Sequence, residues 1–206
     1  TVKCLVHKNL TWIKNMPVEI YRGSITEPET LIDAVKGVDF VFHSAAVLRV
    51  INPQDYYCIN HLGTKNIVET VYRVNPNIKR FVYISTQSAM GPARSEKPTC
   101  KMTDKTTYEP KDITYDCKPV SEYGRSKLLG EKEVIKFKDK LPVTILRPSA
   151  VYGPRDQDLF PFFKCSVYGF FPVLTGKNGH LVQLLFVKDL SKICYLITQK
   201  SHLNNT

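Results

Sequence analysis

A tyrosine and a lysine four residues apart, Tyr123 and Lys127, are the side chains of this sequence best suited to proton chemistry. They stand in the stretch Tyr123-Gly-Arg-Ser-Lys127, and on a helix that spacing places both side chains on one face. A lysine ammonium close to a phenol favours the phenolate, so we expect it to let the tyrosine exchange a proton nearer to neutral pH. Taken alone, the spacing favours an ordinary amphipathic helix, and the surrounding sequence has to decide.

Length and composition limit what the protein can be. The 206 residues suffice for one sizeable core, and the hydrophobic share of 43% and charged share of 23% are those of a globular protein. No apolar run is long enough to span a membrane, and no basic and apolar leader starts at Thr1, so we expect a cytoplasmic protein without a membrane partner. The six cysteines are dispersed without metal-ligand spacing, which predicts reduced thiols and no metal site.

The formal net charge of +10 raises the question of nucleic-acid binding. The lysines are scattered or stand beside acids, as in Glu131-Lys-Glu-Val-Ile-Lys-Phe-Lys-Asp139, which favours a solvated helix face. We therefore expect no nucleic-acid partner. A basic protein also suits an anionic cofactor or substrate.

Short apolar runs alternate with longer amphipathic segments along the chain. The runs are rich in β-branched or aromatic residues, and we expect them to be strands buried on both faces of a parallel sheet: Val2–Val6, Val18–Tyr21, Phe40–His43, Phe81–Ser85 and Val143–Leu146. The helical segments between them are Pro28–Lys36, Asp55–Val74 and Ser121–Phe137. This alternation predicts βαβ units and a doubly wound α/β fold.

One stretch, Ala93–Pro119, interrupts the alternation. It is polar, contains several prolines and shows no period, which predicts a long loop between a strand and the helix of Tyr123. We expect this loop to border the active site, although a tolerated surface insertion fits nearly as well.

Several landmarks follow one another in a fixed order. They are Val41-Phe-His-Ser-Ala-Ala46, Asn60-His-Leu-Gly-Thr64, Phe81-Val-Tyr-Ile-Ser-Thr-Gln-Ser-Ala-Met-Gly-Pro92, Tyr123-Gly-Arg-Ser-Lys127, Leu146-Arg-Pro-Ser-Ala-Val-Tyr-Gly-Pro-Arg155 and Phe186-Val-Lys-Asp-Leu190. Together they resemble the extended short-chain dehydrogenase/reductase family, of the NAD-dependent epimerase/dehydratase type. The resemblance runs from about Val2 to Ile197 and implies a Rossmann-like fold.

The resemblance implies a catalytic set. Tyr123 corresponds to the general acid/base, and Lys127 to the residue that lowers the tyrosine's pKa and bonds the nicotinamide ribose. Alignment on Gly91-Pro92 places the catalytic Ser/Thr at Thr86, with Ser85 and Ser88 as close alternatives. Asn60 corresponds to a helix asparagine that orders the site, although a satisfied polar helix residue is an equal alternative.

The same resemblance implies cofactor and substrate contacts. The small residues after the third run would let backbone pass close to the dinucleotide, Ser85 would lie beside it, and residues after Pro148 would form the nicotinamide wall; these residues are Ser44, Ala45, Ala46, Ser85, Pro148, Ala150 and Val151. Ser24 and Ile25 stand where the family contacts adenine, and Gly23-Ser24 replaces its usual Gly-Asp pair. Ser88 and Arg155 are the candidate substrate contacts.

Cofactor choice depends on the residues after the first run. The chain has His7 and Lys8 where many members carry a ribose-reading acid, which favours NADP over NAD because a cation would meet the 2′-phosphate. A pair of surface basic residues is an equal alternative.

The family's glycine-rich motif, Gly-x-x-Gly-x-x-Gly, does not occur in the sequence. The resembled strand order 3-2-1-4-5-6 would then lack its central strand and the helix after it, so we expect an incomplete sheet with unpaired groups at the gap. This predicts a fragment that binds dinucleotide poorly and is inactive by itself. We expect residues 1–150 to be a partial dinucleotide-binding domain, and 151–206 to begin a substrate lobe with a return strand and helix.

The expected activity is transfer of a hydride between nicotinamide and a secondary alcohol or ketone of a small-molecule substrate. Hydroxysteroid dehydrogenases and dihydroflavonol reductases illustrate it. A nucleotide-sugar epimerase or dehydratase is the first alternative, and a non-catalytic dinucleotide-binding protein is the second. Asp55–Val74 and Ser121–Phe137 could pair two copies as a homodimer, which is common in the resembled family.

Overall fold

The computed structural model describes residues 1–91, 117–170 and 183–199. These residues form two compact units that divide between Arg147 and Pro148. Residues 93–116 of the long polar stretch lie outside the described residues, so its place beside the active site stays a prediction. The domain roles expected for 1–150 and 151–206 likewise stay predictions.

The first unit contains two parallel sheets. In one, β1 (Lys3–Val6) pairs with β2 (Glu19–Arg22). In the other, the strand order is β3 (Phe40–His43), β4 (Arg80–Ile84) and β5 (Val143–Leu146). Among the described strands no ladder joins β1 to β3, as expected for an order without its central strand.

Helices connect the strands from β2 onward, which confirms the predicted βαβ alternation and the α/β class, while turns join β1 to β2. A 3₁₀ turn, Pro28–Leu31, leads into α1 (Ile32–Val35) between β2 and β3. The connection from β3 to β4 is helical from residue 54 to 74, and α4 (Glu122–Ile135) follows β4. Side chains of β4, β5 and these helices form the core of the unit, which includes Leu31, Val35, Ile67, Val68, Val71, Phe81, Tyr83, Val134 and Val143.

The expectation of strands buried on both faces is correct for β4 and wrong for β2. All five β4 residues are buried or nearly so, whereas three of the four β2 residues are exposed, including Ile20. β2 pairs only with β1 among the described strands and lies at a sheet edge. The β-branched and aromatic residues of β2 favour extended backbone, but edge strands and central strands both have this preference. Residue type therefore did not distinguish an exposed edge strand from a buried one.

The predicted helix Asp55–Val74 is continuous but not uniform. It consists of α2 (Gln54–Tyr56), a π-helical segment (Tyr57–Leu62) and α3 (Gly63–Val74). In α3, buried residues recur at helical spacing and face the sheet. Nothing in the sequence indicated the π-helical segment, a type of irregularity that is frequent at functional sites.

The second unit contains β6 (Ala150–Tyr152), α5 (Phe160–Val167), β7 (Leu184–Phe186) and α6 (Val187–Gln199), and β6 pairs with β7 in parallel. The Tyr152 ring lies against Phe163 and Phe186, with ring centroids 5.5 and 5.4 Å away. In the described parts of both units, no helix is both long enough and apolar enough to cross a lipid bilayer.

Candidate active site

The helix that carries Tyr123 begins where the sequence predicts. Ser121 has extended backbone, and its side-chain oxygen accepts a hydrogen bond from the Gly124 amide at 3.0 Å, which caps the first turn of α4. Gly124 is required here, because a Cβ at this position would lie 2.5 Å from the backbone oxygen of Ser88. The start of α4 therefore packs directly on the short 3₁₀ turn Gln87–Ala89 that follows β4.

Tyr123 lies partly buried at this junction. Burial raises the pKa of its phenol, the neighbouring Thr86 hydroxyl opposes that rise, and Tyr56 adds to it. Thr86 is the N-cap of the turn Gln87–Ala89, and its Oγ1 accepts a hydrogen bond from the Ser88 amide at 3.2 Å. The structure therefore brings Tyr123 and Thr86 together.

Lys127 lies one turn further along α4 and is almost completely buried. Its Nζ donates to the backbone oxygen of Ile84 at 2.8 Å and lies 4.2 Å from the centre of the Tyr83 ring. Burial lowers the pKa of this ammonium to about 8, and Glu131 opposes that shift. Lys127 is therefore fixed to the last residue of β4, two residues before Thr86.

The structure records no effect of Lys127 on the pKa of Tyr123, and the role expected for Lys127 stays a prediction. The tyrosine's pKa is raised rather than lowered, because the loss of hydration at a buried phenol outweighs the favourable interactions around it. The Lys127 ammonium is directed at the Ile84 carbonyl and the Tyr83 ring. Residue spacing placed both side chains on one helix, but it could not show where each one points.

Asn60 lies in the π-helical segment and is fully buried. Its Oδ1 accepts from the Val47 amide at 2.8 Å, while its Nδ2 donates to the Val47 carbonyl at 3.1 Å and to Ser126 Oγ at 3.1 Å. Asn60 thus ties the loop after β3 to α4 at Ser126, the residue before Lys127. This geometry is compatible both with an ordering role and with a satisfied structural asparagine.

The loop after β3 and the end of β4 face the same edge of the sheet. Ser44 and Ala45 are exposed, and Ala46 is half-buried. Ser85 is buried, and its hydroxyl has no hydrogen-bond partner among the described residues. A buried hydroxyl without a partner is costly, which marks this edge as a place where a ligand could complete the bonding.

The remaining predicted contacts belong to several elements of both units. His7 and Lys8 are exposed after β1, whereas Ile25 is part of the core and the Ser24 hydroxyl bonds Thr26 at 2.7 Å. Ser88 is exposed in the turn after β4. The predicted contacts in the second unit are Pro148, Ala150, Val151 and Arg155; the last follows β6 with a positive φ of 75°. The roles assigned to all these residues stay predictions.

Residue types alone did not reveal the buried layer formed by the side chains of His43, Thr64 and Tyr83, on which the site residues rest. His43 is buried, bonds Thr64 Oγ1 at 2.9 Å and stacks on Tyr83. Burial and the nearby charge of Lys127 lower the pKa of His43 to about 3, so the imidazole is neutral at pH 7. Its place at the end of a strand, in Val41-Phe-His-Ser, was the only available signal.

Gly130, which has no side chain, lets α4 pack closely against this layer. A Cβ at Gly130 would lie 2.5 Å from the Tyr83 hydroxyl and 2.8 Å from the Asn60 backbone oxygen. One turn of α4 can therefore rest against both β4 and the π-helical segment. The signal for Gly130 was a glycine inside a helix, a placement that is unfavourable without a packing reason.

Comparisons with known proteins agree with this architecture. The model of the NAD dependent epimerase/dehydratase family matches residues 2–205. A sterol-4-alpha-carboxylate 3-dehydrogenase, decarboxylating, from Bos taurus is 27% identical over 181 residues, which are 85% of this chain and 48% of that protein. The chain spans about half the length of the curated relatives it matches first.

Solved structures share the fold, and two of them illustrate the match. MoeE5 in complex with UDP-glucose and NAD superposes with a TM-score of 0.75 at 22% identity, covering 99% of this chain and 65% of that one. An epimerase from the methanogen Methanothermobacter thermautotrophicus superposes with a TM-score of 0.76 at 24% identity, covering 98% and 62%. With the family model matched over nearly the whole chain, this protein belongs to the NAD-dependent epimerase/dehydratase family of extended short-chain dehydrogenases/reductases.

Proposed function

We propose that the natural protein containing this chain is an NAD(P)-dependent oxidoreductase that transfers a hydride to or from the carbon of a secondary alcohol or ketone. The observation that carries the proposal is the convergence of three side chains at the carboxyl end of β4. Tyr123 lies beside Thr86, and Lys127 donates to the Ile84 carbonyl two residues earlier. The carboxyl ends of parallel strands are where α/β sheets bind ligands.

Tyr123 is suited to moving the proton. Because burial raises its pKa, the phenol is protonated at neutral pH, which is the form that can donate to a developing alkoxide during ketone reduction. In alcohol oxidation the same oxygen, once deprotonated, would accept the substrate's proton. The adjacent Thr86 hydroxyl can bond the same substrate oxygen, since a hydroxyl both donates and accepts.

The residues present fit the nicotinamide end of a dinucleotide. The buried Ser85 hydroxyl lacks a partner among the described residues, and Lys127 makes one described hydrogen bond with an ammonium that can donate three. Together they could bond ribose and carboxamide groups. When bound, the nicotinamide would supply or accept the hydride. Since the chain has no glycine-rich motif, it offers no equivalent fit to the pyrophosphate.

A preference for NADP is the finer part of the proposal. His7 and Lys8 are exposed at the end of β1, and Arg22 Nη1, at the end of the paired strand β2, donates to the Lys8 carbonyl at 3.3 Å. Three basic side chains at one end of this sheet suit a 2′-phosphate. The relative MoeE5 was solved with NAD. A kcat/KM for NADH above that for NADPH, unchanged by Arg22→Ala, would show the preference to be wrong.

A nucleotide-sugar epimerase or dehydratase is the second candidate. The name of the matched family and the UDP-glucose bound to MoeE5 support it. The two candidates differ in redox balance, because an epimerase returns the hydride and an alcohol dehydrogenase does not. The non-catalytic alternative is less well supported, because Tyr123, Lys127 and Thr86 are all present and close together. The homodimer stays a prediction.

The decisive experiment uses the full-length natural protein with NADH or NADPH, a panel of ketones including steroids, and nucleotide sugars. We expect oxidation of the reduced cofactor with at least one ketone, and Tyr123→Phe should lower kcat/KM by about 10² to 10⁴-fold. Tyr72→Phe is the matched control, because Tyr72 lies on α3 and is well exposed. Sugar conversion without net cofactor change would favour the epimerase. Unchanged turnover by Tyr123→Phe would exclude the proposed chemistry.

A further inference from the structure

We propose that Tyr56 is a positioning residue for Tyr123, holding its ring in the orientation that proton transfer requires. The inference rests on the function proposed for Tyr123. It starts from an arrangement that occurs twice in the first unit. Two residues of the helix covering residues 54–74, one helical turn apart, each contact both the loop after β3 and α4; we call these two sets of contacts the first and second levels.

The first level is Asn60, which bonds Val47 in the loop and Ser126 in α4. The second level is Tyr56, four residues earlier. The Tyr56 hydroxyl donates to the Leu48 carbonyl at 2.9 Å, and its ring centroid lies 6.0 Å from that of Tyr123 with the planes tilted by 59°. Both levels therefore connect neighbouring loop residues with neighbouring turns of α4.

The tilted geometry is a favourable one for aromatic pairs and restricts both rings. Tyr123 is only partly buried, and the end of α4 on which it stands is the part of a helix most prone to fraying. The hydrogen bond to Leu48 fixes the Tyr56 ring from its far end. A fixed Tyr56 ring then limits the positions that the Tyr123 ring can take above Thr86.

Tyr57 supports the same contact from the next residue. Its hydroxyl bonds the Glu122 carboxylate, which also pairs with Arg125. The π-helical segment is thus bonded to α4 at Glu122, just before Tyr123, through Tyr57, and at Ser126, after Tyr123, through Asn60. The titratable groups that the structure records as acting on the Tyr123 phenol or being acted on by it are Tyr56 from α2 and Tyr83 from β4.

The first test measures pH profiles of the full-length natural protein with the panel ketone that the wild type reduces fastest. Tyr56→Phe keeps the ring and loses the Leu48 hydrogen bond; Tyr56→Leu and Tyr56→Met lose the ring. We expect Tyr56→Phe, whose ring stays in place but is no longer fixed by Leu48, to lower kcat by about twofold. The other two should lower kcat by about tenfold because the reacting oxygen is misplaced. The KM for the ketone should change little.

The pH profile separates positioning from general destabilisation. Removing the ring exposes the Tyr123 phenol, so its pKa should fall and the alkaline loss of ketone reduction should move to lower pH. Tyr56→Phe keeps the burial, which is the larger cause, and loses only the smaller contribution of the Tyr56 hydroxyl, so it should move that midpoint less than Tyr56→Leu does. Tyr72→Leu, the same kind of substitution elsewhere on the helix, should change neither kcat nor the midpoint.

A second measurement requires no turnover. A double-mutant cycle for Tyr56→Leu and Tyr123→Leu, read from urea unfolding, should give a clear coupling, while Tyr72→Leu and Tyr123→Leu should be additive. Additive Tyr56 and Tyr123 changes, or an unmoved pH midpoint in Tyr56→Leu and Tyr56→Met, would overturn the inference. If Tyr123→Phe abolished turnover while Tyr56→Leu had no effect, only the role of Tyr56 would fail. An active Tyr123→Phe would instead remove the proposed function.

Discussion

Arg147 binds both carboxylate oxygens of Glu131, with Nε 2.9 Å from Oε1 and Nη2 2.6 Å from Oε2. Glu131 is fully buried in α4, four residues after Lys127, and Arg147 directly follows β5. The Glu131 carboxylate therefore lies between two cations. It bonds one of them directly and supports the protonated form of the other. This relationship connects the helix of the site with the third strand of the sheet.

The first prediction concerns removal of Arg147. Arg147→Met should lower the free energy of unfolding by about 3–5 kcal/mol, because it leaves the Glu131 charge buried without its partner. The double variant with Glu131→Leu should recover much of this loss, since the buried carboxylate that lacks its partner is then removed as well. Urea unfolding would measure both. Lys79→Met, which removes one partner of an exposed pair with Asp39, should have little effect; an Arg147→Met protein as stable as this control would contradict the prediction.

The second prediction is a pH dependence from Lys127. Its pKa is about 8 in the folded chain and 10.5 as the ordinary value, so between these values the unfolded chain binds more protons. The free energy of unfolding should therefore rise with pH across this window, by up to about 1.4 kcal/mol per pH unit from this group. Below pH 8 the folded protein carries the full cost of a buried ammonium.

Lys127→Met tests this contribution. Compared with the wild type, the variant should be more stable to urea at pH 7, and the difference should shrink toward pH 10.5. Lys79→Met, at an exposed lysine, should keep the wild-type dependence. A constant difference between Lys127→Met and the wild type from pH 7 to 10.5 would show that the folded-state pKa of Lys127 is ordinary.

The third prediction concerns His43 and acid. The pKa of this imidazole is about 3 in the folded protein and 6.5 as the ordinary value, so the unfolded chain takes up the proton first as the pH falls. The stability contribution is complete above pH 6.5 and is lost progressively toward pH 3. His43→Phe keeps a ring against Tyr83 and removes the titration, so its unfolding free energy should fall less steeply between pH 6.5 and 4. A slope equal to that of the wild type would refute this account.

The fourth prediction tests the close approach of α4 to the layer below it. Gly130→Ala should destabilise the protein by about 1–3 kcal/mol, because the added methyl group overlaps the Tyr83 hydroxyl and the Asn60 backbone oxygen. Tyr83→Phe in the same protein should recover part of this loss, since it removes one of the two overlapping atoms. Thermal unfolding of the two single variants and the double variant would show the coupling. A neutral Gly130→Ala would mean that α4 packs less closely.

Much of the fold was readable from the sequence because it depends on local patterns. The runs Phe40–His43 and Val143–Leu146 are strands with those bounds, and Ser121 caps the helix of Tyr123. Strands buried between helices, and helices with capping residues, leave periodic and chemical signals along the chain. The exposure of β2 was not readable, because it depends on which strand lies beside it.

The sequence alone also identified Tyr123, Lys127 and Thr86 as the candidate reacting group, through their order and the landmarks around them. Only the tertiary structure showed that burial raises the pKa of Tyr123, that Lys127 is directed at the Ile84 carbonyl, and that Tyr56 and Asn60 link the loop to α4. Residue type and spacing specify which chemistry is available. Orientation, burial and pKa arise from contacts between segments distant in sequence, and they exist only once those segments are packed together.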